Sequence, residues 1–351
     1  MRILLGMSGG LDSTYAALQL MRQGHSVEGA VIVMHSHTET DAAKASADSL
    51  GIPLHVIRAE EQFERCVVNY FVSEYCSART PNPCVVCNSE VKFRVLYDYA
   101  MAHGFDMIAT GHYACVRKIE TDGGVKYALS SAKDTKKDQT YMLWRLPQDI
   151  LAKLCLPLYN IEKADVRCDA REQGITAADR EESQEICFIP SGDYASFIEE
   201  RTEPSKPGNF IDEDGKVLGE HRGIIRYTIG QRKGLGIAMG QRVFVTDINP
   251  QDNTVTLSAN DNYGYEVHIT DMVFSAIDEP KPDSEIKLFV KLRYLAPRVP
   301  CTLQYSQDGC AKVILDTPVR AITPGQSAVF YDASGTLVAG GFIATANHIR
   351  V

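Results

Sequence analysis

Residues Ser8, Gly9, Gly10, Leu11, Asp12 and Ser13 carry the densest chemical signal in the chain. Ahead of them runs Ile3-Leu4-Leu5-Gly6-Met7, a short apolar stretch closed by glycine, which predicts a buried strand. Behind them Leu11, Tyr15, Leu18 and Met21 recur at three- and four-residue intervals, which predicts a helix. A strand that enters a helix through so tight a turn leaves backbone N–H groups unpaired, beside the positive end of the helix dipole. Such a turn binds phosphate. A P-loop would place Lys before the final Ser or Thr, where it reaches the terminal phosphates. Here that position is Asp12, a carboxylate beside a polyphosphate, which makes chemical sense with a metal ion between the two. The plain alternative is an ordinary junction of small residues.

Three cysteines give the second signal. Thr80-Pro81-Asn82-Pro83-Cys84-Val85-Val86-Cys87-Asn88 sets a C-x-x-C in a proline-stiffened loop just before a predicted helix, and a helix start favours the reactive thiolate. Cys187 lies in Ser183-Gln184-Glu185-Ile186-Cys187-Phe188. The other seven of the ten cysteines (Cys66, Cys76, Cys115, Cys155, Cys168, Cys301, Cys310) sit singly and read as core or surface residues. A structural zinc would require four ligands, and a second C-x-x-C is missing. The βαβ context of a thioredoxin-like redox pair is also missing.

The elements that must position these groups follow in order. Residues 26–33 and 54–57 read as strands. Residues 40–50 read as an Ala-rich helix, N-capped by Thr40 or Asp41 with Gly51 just past its end. Helical spacing covers 60–76 and 89–103, and a short strand at 107–109 runs into Thr110-Gly111-His112. Strands alternating with helices predict an α/β fold with a doubly wound parallel sheet. Ligands of such sheets sit at the carboxyl ends of the strands, where both the 8–13 and 110–112 turns fall. Beyond Tyr113 come a hairpin at 116–131, a polar run at 133–139, two helical stretches, an acidic run at 179–185 and a short helix at 194–201. The Pro- and Ser-containing stretch 204–208 reads as a linker, and short alternating strands follow to the end, as in small β-barrels or sandwiches. The expected division is a catalytic domain over 1–203, a small central β domain over 204–265 and a C-terminal β-barrel over 266–351.

At 351 residues, 44% hydrophobic and 23% charged, the chain has the composition of a multi-domain globular protein. It has no apolar run of about 18 residues and opens on a core strand without a leader, so a cytoplasmic protein without membrane contact is expected. The net charge of −9 argues against a generally basic nucleic-acid binder but leaves room for a local basic face. Candidate patches are Lys133, Lys136 and Lys137; Arg222, Arg226, Arg232 and Lys233; and Lys291, Arg293 and Arg298. Each alone is more often a solvated face, but Tyr294 beside Arg293 pairs a stacking surface with a phosphate contact.

The loop Ser-Gly-Gly-x-Asp-Ser resembles that of enzymes that cut ATP between its α and β phosphates. In addition, Arg79-Thr80-Pro81-Asn82-Pro83, Cys87-Asn88, Lys92-Phe93, Ala109-Thr110-Gly111-His112-Tyr113, Lys137-Asp138-Gln139, Cys187-Phe188-Ile189, the run at 228–236 and Lys291-Leu292-Arg293-Tyr294 follow at the spacing of the tRNA 2-thiouridylases. The resemblance spans nearly the whole chain. It implies an adenine nucleotide alpha hydrolase-like catalytic domain that replaces O2 of a tRNA wobble uridine with sulfur, using ATP with Mg2+. Gly6, Met7, Ser8, Gly9, Gly10, Leu11, Asp12, Ser13, Met34 and Gly111 would hold ATP. Asn82, Pro83, Cys84, Lys137, Asp138, Gln139, Arg293 and Tyr294 would meet tRNA, with the target base flipped out. Cys187 would carry a persulfide received from a sulfur donor protein, and Cys87 would release that sulfur, most simply by forming a disulfide with Cys187.

Two departures stand out. Many members carry Asp where this chain has Cys84, which leaves proton transfer without an assigned residue. The resulting trio Cys84, Cys87 and Cys187 offers the ligands of a 4Fe–4S cluster, an alternative sulfur carrier. The segment after Met34 (residues 35–41) is also shorter than usual. Two rival readings are an ATP-pyrophosphatase ligase acting on a small acceptor, which has no need of the cysteines, and a non-catalytic RNA or iron–sulfur protein.

Overall fold

The computed structural model describes residues 1–175, 177, 186–237, 239–260 and 262–350, excepting the side chains of 345–350. The acidic run expected at 179–185 lies outside the described residues. The first half builds one parallel sheet from β1 (Arg2–Gly6), β2 (Ser26–Val33), β3 (Leu54–Arg58) and β4 (Met107–Thr110). After a hairpin of β5 (Cys115–Thr121) and β6 (Gly124–Ser130), β7 (Leu154–Cys155) completes the sheet in the order β3-β2-β1-β4-β7. Along β1 the side chains alternate between two cores. Leu4 packs with Ala30, Phe93, Leu96 and Ile108, whereas Ile3 and Leu5 pack with Ala16, Ala17 and Leu20 of the opposite layer. Both faces are therefore apolar, as the sequence pattern predicts for a doubly wound sheet. Each such buried aliphatic side chain contributes about 1.5–3 kcal/mol.

The covering helices are α1 (Leu11–Arg22), α2 (Thr40–Leu50), α3 (Glu60–Phe63), α4 (Asn69–Cys76), α5 (Pro83–Val86) and α6 (Phe93–Ala102). Wide π-type turns at Glu64–Val68 and Cys87–Lys92 join α3 to α4 and α5 to α6, so each pair is one rod. The expected N-cap of α2 differs: Glu39 takes that position, with no side-chain hydrogen bond to the helix. Short α7 (Thr140–Leu143) and α8 (Gln148–Leu151), then α9 (Lys163–Glu172) and α10 (Tyr194–Glu199), complete the helices.

Downstream, β8 (Gly208–Ile211), β9 (Val217–His221), β10 (Phe244–Asn249) and β11 (Thr254–Ser258) form a small sheet ordered β10-β11-β8-β9. A closed six-stranded barrel follows: β12 (Asn262–Phe274), β13 (Glu285–Lys291), β14 (Val299–Tyr305), β15 (Ala311–Arg320), β16 (Ser327–Tyr331) and β17 (Leu337–Arg350). Tyr265 lies within its first strand. The barrel is clamped to the parallel-sheet half by Trp144, whose Nε1–H donates to Ser327 Oγ at 2.9 Å, and by Tyr141, whose hydroxyl donates to the Ser327 carbonyl at 2.9 Å.

Candidate active site

Strand order reverses at β1 and β4, so the turns after these two strands open on one crevice. In the first turn Gly9 adopts φ +76°, and a Cβ there would lie 2.4 Å from the Ala42 backbone. Ser13 Oγ donates to the Gly10 carbonyl at 3.1 Å and accepts from Ser8 N–H at 3.2 Å, which braces the turn from inside. Gly10 precedes α1 without a side-chain cap, which leaves first-turn N–H groups for an anion. From the second turn, Gly111 presses on the first: a Cβ there would sit 2.6 Å from the Asp12 carbonyl carbon. Asp12 is held from two sides. Tyr113 OH donates to its Oδ1 at 2.9 Å, and Lys163 Nζ reaches Oδ1 and Oδ2 at 2.6 and 2.7 Å.

The sulfur groups stand nearby. Asn82 Oδ1 caps α5 by accepting Cys84 N–H at 3.2 Å, and Pro83 occupies the first turn. This turns Cys84 outward and Cys87 inward, where its thiol meets Met34 Sδ at 3.7 Å. Met34 follows β2, on the nucleotide side of the crevice. Cys187 is exposed, and Phe188 after it is anchored edge-on against Phe63 and Phe71. The three sulfurs lie close enough that charge on one disfavours charge on another. Burial is the largest influence on each and raises all three thiols, Cys87 to about 12; Lys92 opposes it in every case. Cys84 and Cys187 touch solvent, but the dense protein around them outweighs that contact. The thiolate preference expected of a helix start is thus overridden by desolvation. Beside them Asn88 Oδ1 is buried with no hydrogen-bond partner, while its amide donates to the Met142 carbonyl at 3.0 Å. Half-buried His112 has its imidazole pushed down to about 3 by desolvation from the dense protein around it, with Lys92 adding to the effect. A cleft of about 930 Å³ leads away from Met34 and Phe188, walled by the short 35–37 segment, Glu60, Glu64 and Arg201.

As arranged, the three cysteines do not converge on a single metal ion. Among the described residues no group of three or more His, Cys, Asp or Glu side chains could hold a metal ion. A 4Fe–4S cluster takes each thiolate on a separate iron, so the alternative sulfur carrier needs no common ligand point.

Comparisons with known proteins bear on this geometry. Three family models match in series: a tRNA methyl transferase HUP domain over residues 1–191, a tRNA methyl transferase PRC-barrel domain over 195–259 and an aminomethyltransferase beta-barrel domain over 266–343. The tRNA-specific 2-thiouridylase MnmA of Acetivibrio thermocellus is 42% identical over 97% of this chain and 98% of its own. Those of Carboxydothermus hydrogenoformans and Clostridioides difficile are 42% and 39% identical, each over 97% of both chains. The chain belongs to the tRNA-specific 2-thiouridylase family. Among solved structures, a 4-thiouridine synthetase–RNA complex with bound ATP is 16% identical over 57% of this chain and 50% of that one, with a TM-score of 0.36, too slight a likeness to argue from.

Within this thiouridylase family member, the residues expected to meet tRNA take several positions. Cys84 is exposed at the crevice, but Pro83 is buried and the Asn82 amide faces Met142 Sδ at 3.3 Å. Asp138 is buried and accepts Thr140 N–H at 2.9 Å, so it starts α7. Gln139 is clasped to Tyr113, accepting its N–H at 2.9 Å. Arg293 is turned inward to the Ala321 carbonyl and, at 2.8 Å, to Thr323 Oγ1, whereas Lys291 lies 5.7 Å from the Tyr294 ring. Of the basic candidates, Arg226 pairs with Glu199 at 2.6 Å, and Arg298 stacks on Tyr331 and bonds Ser131. Lys133 and Lys136 remain exposed.

Sequence reasoning missed Lys163 and the hydroxyl of Tyr113, both brought to Asp12 from far along the chain. It quoted Lys92 without a role, although Lys92 is the cation acting on every thiol of the site. The available signal was an isolated Lys opening a polar helix, which spacing alone cannot aim.

Proposed function

We propose that this protein is an ATP-dependent tRNA-uridine 2-sulfurtransferase. The observation that supports the reading best is the contact of Cys87 Sγ with Met34 Sδ at 3.7 Å, a thiol beside the residue that follows β2. Uridine O2 attacks the α phosphate of ATP, pyrophosphate leaves, and the N3 proton is lost; the base then carries AMP as its leaving group. Mg2+ enters with ATP as part of the substrate, and one carboxylate, Asp12, is what such a phosphate-borne ion requires of the protein. Cys187, exposed, takes the terminal sulfur of a donor protein's persulfide and frees the donor's thiol. Its outer sulfur attacks C2 and displaces AMP. The Cys87 thiolate attacks the inner sulfur, the S–S bond to the base breaks, and 2-thiouridine leaves with a Cys87–Cys187 disulfide, which a cellular dithiol must reduce. Residues 1–203 would perform this chemistry in the cytoplasm, with 204–265 and 266–351 gripping tRNA.

The test is a single turnover on transcribed tRNA with ATP, Mg2+ and a protein persulfide, read by mass spectrometry of nucleosides and by pyrophosphate release. The reading expects 2-thiouridine at a wobble uridine, none at a wobble cytidine, and retained pyrophosphate release with lost thiolation in Cys187→Ser. Pyrophosphate release on a small acceptor without tRNA would sink it in favour of the ligase reading.

A further inference from the structure

The loop of residues 8–13 has no lysine, but a lysine is present at it. Lys163, the first residue of α9, is only 8% exposed, and its ammonium spans both carboxylate oxygens of Asp12 at 2.6 and 2.7 Å. Its delivery is built in. The Lys163 N–H donates to Asp134 Oδ2 at 3.1 Å, which fixes the start of α9. One turn and a half later Asp169 accepts from Tyr15 OH at 2.6 Å and from Arg22 at 2.5 Å, which docks α9 along α1. The Tyr113 ring lies 5.8 Å from the ammonium, and its hydroxyl holds Asp12.

A polyphosphate bound on the first-turn N–H groups of α1 would bring several negative charges beside Asp12. Left alone, that carboxylate repels it. A lysine ammonium is a compact charge on a flexible stem, able to pivot between neighbouring oxygens without moving the backbone. We propose that Lys163 is the phosphate-binding cation of this site, stored on Asp12 until ATP arrives and then exchanged onto a β- or γ-phosphate oxygen, which frees Asp12 for the metal ion carried by ATP. It thereby does from α9 what a P-loop lysine does from within its loop. The proposal rests on the ATP reading of the loop but not on which acceptor is thiolated.

Removing the metal separates this role from that of a simple counter-ion. ATP, inorganic pyrophosphate and AMP are titrated calorimetrically into the full chain in chelator, for wild type, Lys163→Gln, Lys163→Arg, Asp12→Asn and the double variant Asp12→Asn/Lys163→Gln. Lys163→Gln is expected to weaken ATP and pyrophosphate by about tenfold or more while changing AMP less than about twofold, one charge-assisted bond being lost. Lys163→Arg should keep most of the affinity. Asp12→Asn should tighten pyrophosphate, because the ammonium is released and the repelling carboxylate removed. Should Lys163→Gln unfold, this gain in Asp12→Asn still tests the proposal. Equal losses for AMP and pyrophosphate, unchanged binding in Lys163→Gln, weaker pyrophosphate in Asp12→Asn, or a double variant that binds pyrophosphate as tightly as Asp12→Asn would each reduce Lys163 to a partner of Asp12 and overturn the idea. A wild type that binds none of the three would overturn the ATP reading of the loop and the proposal with it.

Discussion

At the scale of single residues, the site holds its thiols neutral. Burial raises Cys84, Cys87 and Cys187, and the ammonium of Lys92 is an opposing charge common to all three. A thiol at about 12 is almost wholly protonated at neutral pH, and its thiolate fraction rises tenfold with each unit of pH below that value. Sulfur release, which uses the Cys87 thiolate, should therefore accelerate about tenfold per pH unit between roughly pH 7 and 9 in pre-steady-state assays of persulfide-loaded enzyme. A flat profile would show that Cys87 does not attack as a thiolate in the measured step. Cys84 carries a second prediction. On the persulfide route, Cys84→Ala and Cys84→Asp should both keep thiolation within about tenfold of wild type, and anaerobically purified protein should hold no stoichiometric iron. A visible absorption band lost together with activity in Cys84→Ala would point to the cluster instead.

At the scale of elements, the crevice depends on two turns packed without side chains between them. Gly111 is where the two turns meet, since a Cβ there would lie 2.6 Å from the Asp12 carbonyl carbon and 2.8 Å from Ser13 N. Gly111→Ala must push the turn after β4 off the start of α1. It should weaken ATP by at least about tenfold, with a loss of about 1–3 kcal/mol in stability, checked by titration and thermal unfolding. An alanine variant with wild-type ATP affinity would show that the two turns can part at no cost to binding. Much of this element level was legible beforehand. Apolar runs such as 3–7 and 26–33 announce strands buried on both faces, and glycine-punctuated turns mark the carboxyl ends where ligands bind. What spacing could not supply was aim. Asp138, Gln139 and Arg293, expected among the RNA contacts, turn their side chains to Thr140, Tyr113 and the 321–323 turn; the first is a local bond at a helix start, while the other two join residues far apart in the chain. The pairing of Lys163 with Asp12 spans 151 positions, a separation at which no local pattern speaks.

At the scale of the whole molecule, the loop that presents Cys84 to the crevice is held by all three parts of the chain. Thr80 N–H donates to the Pro324 carbonyl at 2.9 Å, and the Gln326 amide donates to the Thr80 carbonyl at 2.7 Å, so the barrel grips this residue from both sides of its backbone. Thr80 Oγ1 donates to Thr228 Oγ1 at 3.1 Å in the central β region. At Gly325, where φ is +88°, an added Cβ would lie 3.0 Å from Thr80 N and 3.1 Å from Arg79 Cβ, so a larger residue would pry the turn away. The β domains thus set the geometry of residues 80–84 whether or not they also touch RNA, and a base seated against Cys84 would be positioned through them. Gln326→Ala removes one such bond, worth about 0.5–1.5 kcal/mol, without touching the nucleotide turns. The expected result is unchanged ATP binding and pyrophosphate affinity, with thiolation of tRNA slowed by about three- to tenfold in the sulfur-transfer step, because a small displacement of a reacting centre is costly in rate. Gln326→Glu sharpens the test, since a carboxylate cannot donate to the Thr80 carbonyl and should be at least as slow as alanine. If both variants thiolate at the wild-type rate, the barrel's hold on Thr80 is incidental and the loop is fixed by α5 alone.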